Sequence, residues 1–333
     1  MPFTTASRLL LATAGPRPAQ TALVSCYDGG TNTTYSTSVN IANPASMSVV
    51  QRISHGTGPT ICAQMAYDPK TKVVWGNVRG ISVANPASMS VVGTLSSTNG
   101  TTCAIDTAAQ VLFTTGTTTG QIRAYDVSNP ASPSLLGSFT PYAATIGNLA
   151  YDAARQVLFV IYEGFGGFPP SPGRVYAVNT ANPASMATLG WIAVTTNGAA
   201  SGVLSADGNT VFVTTPGYVD PVNVSNPAAM SHPARTAVAS MADTKTAAVD
   251  GSDLFVAIRN TNSLVSLDTS NPAAITEPDR YTSSVNISGC SGIAYDRLTQ
   301  TGFVAAATGN EISSFDLSDP ADITFLHNLA SAT

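Results

Sequence analysis

Charge is the first thing this chain has little of. Asp, Glu, Lys and Arg together make up 10% of its 333 residues, against roughly 25% in an average soluble protein. Ala, Ser, Thr, Asn and Gly stand in their place. A surface so sparsely charged has weak colloidal repulsion, which suits a protein packed against neighbours better than one free in a crowded solution. Lysine occurs only at Lys70, Lys72 and Lys245, and no stretch is basic. With a formal net charge of −5, a nucleic-acid partner is excluded, because that binding needs clustered cations.

Other absences narrow the field further. The four cysteines, Cys26, Cys62, Cys103 and Cys290, show no CxxC spacing and no nearby His. In so long a chain they read as free, buried thiols and not as a disulfide framework. The start "MPFTTASRLLLATAGPRPAQ" holds only the short apolar run "LLLATA", whereas a secretory signal needs a core of roughly 7–15 apolar residues. No run approaches membrane-span length, so neither standard export nor membrane insertion is expected. No window of ten or more residues carries a helical stripe of apolar positions.

What the chain does have is repetition. The stretch "YDVSNPASPSLLGSF" at 125–139 returns in near-copies along its whole length. Its Asn-Pro pair recurs at Asn43-Pro44, Asn85-Pro86, Asn129-Pro130, Asn182-Pro183, Asn226-Pro227 and Asn271-Pro272, and then as Asp319-Pro320. The steps are 42, 44, 53, 44, 45 and 48 residues. A period of roughly 40–50 residues built from short strands is the signature of propeller blades. The second copy shows the unit: "ICAQMAYDPKTKVVWGNV" reads as strand, Asp-Pro turn and strand. "RGISVANPASMSVVGTLSS" adds a third strand, the Asn-Pro turn and a fourth. The expected fold is all-β, a seven-bladed β-propeller with four antiparallel strands per blade. It forms one domain over 1–333, with blades near 7–54, 60–97, 101–140, 146–195, 201–239, 245–284 and 289–331.

The turn has a physical reason. Proline fixes its own φ near a helical value and pushes the preceding residue out of the helical region. An Asn in that place accepts a hydrogen bond from an amide two or three residues on, as an N-cap does. The Asn-Pro pairs are therefore read as structural turns. Asp68, Asp106, Asp152, Asp207, Asp250 and Asp296 are read as turn-formers of the first hairpin, not as a ring of acids.

At "YDVSNPASPSLLGSF" the chain resembles the LVIVD-repeat propeller family, whose pattern is an apolar strand ending in Asp-x-Ser-(Asn/Asp)-Pro, a small-residue turn and an apolar strand with Gly. "VNIANPASMSVVQRI", "ISVANPASMSVVGTL", "VNTANPASMATLGWI" and "VSLDTSNPAAITEP" are weaker versions. The resemblance covers nearly the whole chain. It implies a propeller and a binding scaffold, and it carries over no catalytic residue.

Chemistry is thin in the sequence. The three glutamates, Glu163, Glu277 and Glu311, are placed in loops of different blades, and His55, His232 and His327 in or beside fourth, outermost strands. No G-x-S-x-G elbow or phosphate loop appears. No catalytic residue, cofactor or metal site is expected, and the chain is read as a non-enzyme. The best local candidate is the insertion "EGFGGFPPSPG", which explains the 53-residue step and lies between the second and third strands of the fourth blade. Phe165 and Phe168, flanked by Tyr162 and Glu163, read as a contact loop stiffened by proline. The same residues also fit a cap folded over the blade edge.

Three functional classes follow as expectations. The first is a structural or binding component on the surface of a larger assembly, with a virion in view: a capsid decoration, tail or host-attachment protein. Its partners would be other proteins of that assembly, or a cell-surface glycan or receptor. The second is an exported cell-surface propeller of the LVIVD type. The third is a hydrolytic, lactonase-like propeller, which would require metal-binding oxygens gathered at the channel mouth.

Overall fold

The computed structural model describes residues 7–12, 21–28, 33–57, 64–76, 78–96, 102–116, 119–164, 172–194, 201–241, 244–306 and 311–330. They form seven four-stranded sheets, each built from consecutive strands in antiparallel order. The sheets span 7–57, 66–94, 103–139, 146–194, 201–237, 244–282 and 290–330, numbered here as blades 1 to 7. The first strand of each blade lies against the first strand of the next. That of blade 7 lies against that of blade 1, so the ring closes. No strand is exchanged between the two ends of the chain. The molecule is a seven-bladed β-propeller, and the described residues contain no helix.

A blade standing on edge between two others buries both faces of its middle strands. This is why the second strands read as unbroken apolar runs where a half-exposed sheet would alternate. Every residue of Val157–Tyr162 and of Thr301–Ala306 is buried. The core is correspondingly divided among the seams. Phe113 and Ile122 of blade 3 pack on Leu158, Val160 and Tyr162 of blade 4. Phe303 and Ile312 of blade 7 pack on Val24, Val39 and Met47 of blade 1. Each buried aliphatic or aromatic side chain contributes about 1.5–3 kcal/mol, so stability is shared around the ring and no single centre holds it.

The Asn-Pro turns are uniform. In all seven, the side-chain oxygen of Asn43, Asn85, Asn129, Asn182, Asn226, Asn271 or Asp319 accepts the amide two residues on at 2.9–3.2 Å. The carbonyl of the same residue accepts the amide three residues on at 2.9–3.0 Å. The turns also do a second job, which the sequence reading assigned only to hairpin shape. In six of the seven blades a β-bulge interrupts the pairing of the third and fourth strands at one repeated place. In five of these blades the residue after the bulge, Gln51, Gly93, Gly137, Gly190 or Asp279, meets the Asn-Pro turn of the next blade. The residue four places after the Asn or Asp, such as Met47, Met89, Met186, Ile275 or Ile323, is buried in the same seam.

The first hairpins carry a second clasp between blades. Ala108 and Ala109 donate their amides to Asp106 Oδ1 at 2.9 Å, and Tyr151 of blade 4 donates its hydroxyl to Asp106 Oδ2 at 2.7 Å. Tyr295 of blade 7 bonds Asp250 of blade 6 in the same manner. Asp68, Asp106, Asp152 and Asp296 are buried because turn amides and such neighbours satisfy their oxygens.

Candidate functional site

The fourth blade is where the predicted contact loop falls. Its second strand, Val157–Tyr162, and its third, Gly173–Asn179, are joined by the insertion. Phe165 and Phe168 lie outside the described residues. Glu163 is exposed at the start of the loop, its amide bonded to the Thr145 carbonyl at 2.9 Å.

Tyr162 corrects the sequence reading. It is the last residue of the strand and is fully buried, donating its hydroxyl to the Gly120 carbonyl of blade 3 at 3.0 Å. Burial pushes that phenol well above the ordinary tyrosine range. It extends the apolar run "VLFVIY" by one position and belongs to the seam, so it offers no contact surface. Two glutamates are also corrected. Glu277 lies within the outer strand Thr276–Thr282, paired with Arg280 Nε at 2.7 Å. Glu311 opens the strand Glu311–Asp316 and accepts Asn328 Nδ2 at 2.6 Å.

Around the base of the insertion the structure assembles a layered group that the sequence reading missed. Arg174 lies over the Tyr142 ring at 4.3 Å and over the Trp191 ring at 4.7 Å. Tyr176 stacks on Tyr142 and on Trp191, each at 5.9 Å between centroids, with interplanar angles of 13° and 19°. Arg174 Nη1 donates to the Tyr176 hydroxyl at 3.4 Å, while its Nε is buried without a hydrogen-bond partner. Tyr176 is buried, but Trp191 is 52% exposed, and it is the one aromatic among the exposed large hydrophobics of the described residues. A guanidinium held between rings is worth about 0.5–2 kcal/mol to each pair. The indole is thereby fixed in orientation from behind and open in front.

Stacking the repeats shows the signal that could have found it. Tyr35 and Arg52 of blade 1 occupy the same two repeat positions as Arg174 and Trp191, and so do Tyr218 and Arg235 of blade 5. Arg52 lies over the Tyr35 ring at 4.0 Å, and Arg235 over Tyr218 at 4.4 Å. In those blades arginine is outside and the ring inside. Blade 4 reverses the order.

A second surface runs along the rim. Val49, Val50, Val91, Leu135, Leu136 and Leu189 are exposed, all on fourth strands of blades 1 to 4. At the matching places blades 5 and 6 carry His232-Pro233 and Glu277-Pro278. His232 there bonds the buried Asp220 at 3.0 Å.

Metal-binding chemistry has little to draw on in these surroundings. Among the described residues no three His, Cys, Asp or Glu side chains gather as an ion would require. Cys103 and Cys290 are buried thiols outside any disulfide, whereas the side chains of Cys26 and Cys62 are outside the described set.

Solved structures share the architecture. A proposed 6-phosphogluconolactonase from Bacteroides fragilis is 11% identical, with a TM-score of 0.73 over 93% of this chain and 94% of that one. A functionally unknown protein from Desulfotomaculum acetoxidans is 11% identical, with a TM-score of 0.71 over 93% and 95%. A Lactobacillus plantarum protein is 13% identical, with a TM-score of 0.70 over 98% and 96%. Likeness at such identities establishes the propeller fold alone. No protein-family model and no curated protein matches the chain.

Proposed function

We propose that the protein is a non-enzymatic structural and binding propeller, a surface component of a larger protein assembly. A virion is the assembly in view, with the propeller as a decoration, tail or host-attachment part. The observation that carries this proposal is the arc of exposed valine and leucine on four neighbouring blades. Apolar side chains exposed at the same repeat place on successive blades offer a partner a repeated set of contacts. The arc lies on a chain whose charged fraction is 10%, so neighbours can pack on it with little charge to desolvate.

The test compares material from the native source with a variant carrying Val50→Asp and Leu136→Asp. Both positions are exposed, so the variant should keep the wild-type thermal midpoint. The native protein should sediment with a particle, and the variant should fail to incorporate. A free monomer in the native source, or incorporation unaffected by the two charges, would end the proposal.

A further inference from the structure

We propose that the cleft between blades 5 and 6 is a docking pocket for a tyrosine side chain carried by a partner protein. It is separate from the apolar arc, and it does not rest on the assembly reading drawn from that arc.

The repeats supply the template. At the end of the first strand, Tyr151 of blade 4 and Tyr295 of blade 7 each reach back to the preceding blade. Tyr151 lies against Phe113 at 5.3 Å between centroids and donates to Asp106 at 2.7 Å, with Thr180 of its own blade beside the hydroxyl. Tyr295 stacks on Phe255 at 5.4 Å and bonds Asp250. In blade 6 the same position is Val249, which precedes Asp250 as Tyr151 precedes Asp152. Valine packs into the seam but carries no ring to extend across it.

Between these blades lies a cleft of about 380 Å³, within the range of roughly 300–1,000 Å³ usual for ligand pockets. Phe212, Ser205 and Thr269 line it. They are the repeat equivalents of Phe113, Asp106 and Thr180, the three groups around the Tyr151 side chain. The cleft therefore keeps the aromatic floor and both walls of a tyrosine site. Two other seams without tyrosine at this place fill it from within the chain. Between blades 4 and 5, Arg155 lies over Phe159 at 5.8 Å and bonds Asp152 and the Gly208 carbonyl. Between blades 2 and 3, Gln110 Nε2 donates to Asp68 at 3.0 Å.

Ser205 brings no carboxylate, but its own hairpin supplies one two residues on. Asp207 lines the cleft and is exposed. Ser205 Oγ donates to it at 2.5 Å and the Asn209 amide at 3.0 Å, which holds the carboxyl below its ordinary range. A phenol hydroxyl can donate to that carboxylate as Tyr151 does to Asp106. No lysine or arginine lines the cleft, so a phosphate or carboxylate ligand would meet only like charge. Exposed Ser252 and Ser270 stand among the lining residues and can bond main chain on either side of an inserted ring. That favours a tyrosine within a polypeptide over a free phenol.

The test titrates acetyl-Gly-Tyr-Gly amide into isotope-labelled full-length protein and follows backbone amide shifts. The phenylalanine, lysine and phosphotyrosine versions and p-cresol serve as comparisons. The tyrosine peptide should bind saturably at one site, moving the Ser252, Thr269 and Ser270 amides. The phenylalanine peptide and p-cresol should bind about tenfold more weakly, and the lysine and phosphotyrosine peptides not at all. Val249→Tyr, which lets the chain fill the cleft itself, should abolish binding while keeping or raising the thermal midpoint. If that variant is less stable, Ser252→Trp blocks the cleft from an exposed position and should abolish binding in its place. Asp207→Asn should weaken binding about tenfold with the midpoint unchanged. A silent tyrosine peptide, equal binding of any comparison ligand, or a response that survives the filled or blocked cleft would each overturn the proposal. The titration uses the isolated chain, so its failure and a failure of particle incorporation are separate results.

Discussion

Six of the seven joints of the ring are made in two ways, three by each. From blade 2 to blade 5 the residue after the bulge is glycine, and the proline carbonyl of the next blade presses onto it. A Cβ on Gly93 would stand 1.9 Å from the Pro130 oxygen, and Gly137 and Gly190 face Pro183 and Pro227 likewise. From blade 6 through blade 7 and blade 1 to blade 2, polar groups make the same joint. Ser266, Ser314 and Ser38 donate to the carbonyls of Pro320, Pro44 and Pro86 at 2.5, 2.5 and 2.7 Å. Asp279 accepts the Ile323 amide at 2.7 Å, and Gln51 accepts that of Met89. One half closes by steric intimacy and the other by hydrogen bonds. One repeat unit therefore tolerates two chemistries at its busiest contact, provided each is complete.

The largest effect should come from breaking the steric half. Gly93→Val drives a branched side chain into backbone that cannot swing aside, so a loss of about 3 kcal/mol or more is expected, read as a lowered thermal midpoint. In the polar half, Asp279→Ala strands the Ile323 amide and should cost about 2 kcal/mol, whereas Asp279→Asn keeps an acceptor and should recover most of it. Equal losses for Ala and Asn would remove the hydrogen bond from the explanation.

The Tyr–Asp clasp is common to both halves and tests whether they differ only at the Asn-Pro end. Tyr151→Phe and Tyr295→Phe should each cost about 1 kcal/mol, and equally. Burial first, then the bond to Asp106 or Asp250, holds both phenols above the ordinary value of 10.0. The unfolded chain ionises them sooner, so their contribution is intact below about pH 10 and declines as pH rises beyond it. Alkaline melting curves of the two variants should accordingly fall less steeply than wild type. The smallest effect belongs to Ser314→Ala, about 0.5 kcal/mol for one neutral hydrogen bond to the Pro44 carbonyl. An unchanged midpoint there would show that ring closure rests on the apolar seam alone.

The fold was legible because the Asn-Pro turn is local. Proline, its neighbour and the amides they bond lie within four residues, so one repeat displays the whole device. The seams were not legible because their partners sit a blade apart: Ser38 meets Pro86 across 48 residues and Ser314 meets Pro44 across 270. Aligning the repeats by their Asn-Pro pairs does expose the Gly or polar residue eight places on. Tyr162 was misplaced by one position, since an apolar strand running into a glycine-rich loop gives no mark at its end. Trp191 was passed over because an outer strand reads as mere edge until its partner Arg174 is set beside Tyr35 and Tyr218.

Outermost strands with sticky side chains would ordinarily invite runaway polymerisation, each unpaired edge recruiting another molecule's backbone. Here the kink recurring in six fourth strands breaks that edge after a few residues and twists it away. The periphery is thus a poor template for fibrils even where its side chains are apolar, because no long straight run of backbone is left for another molecule to extend.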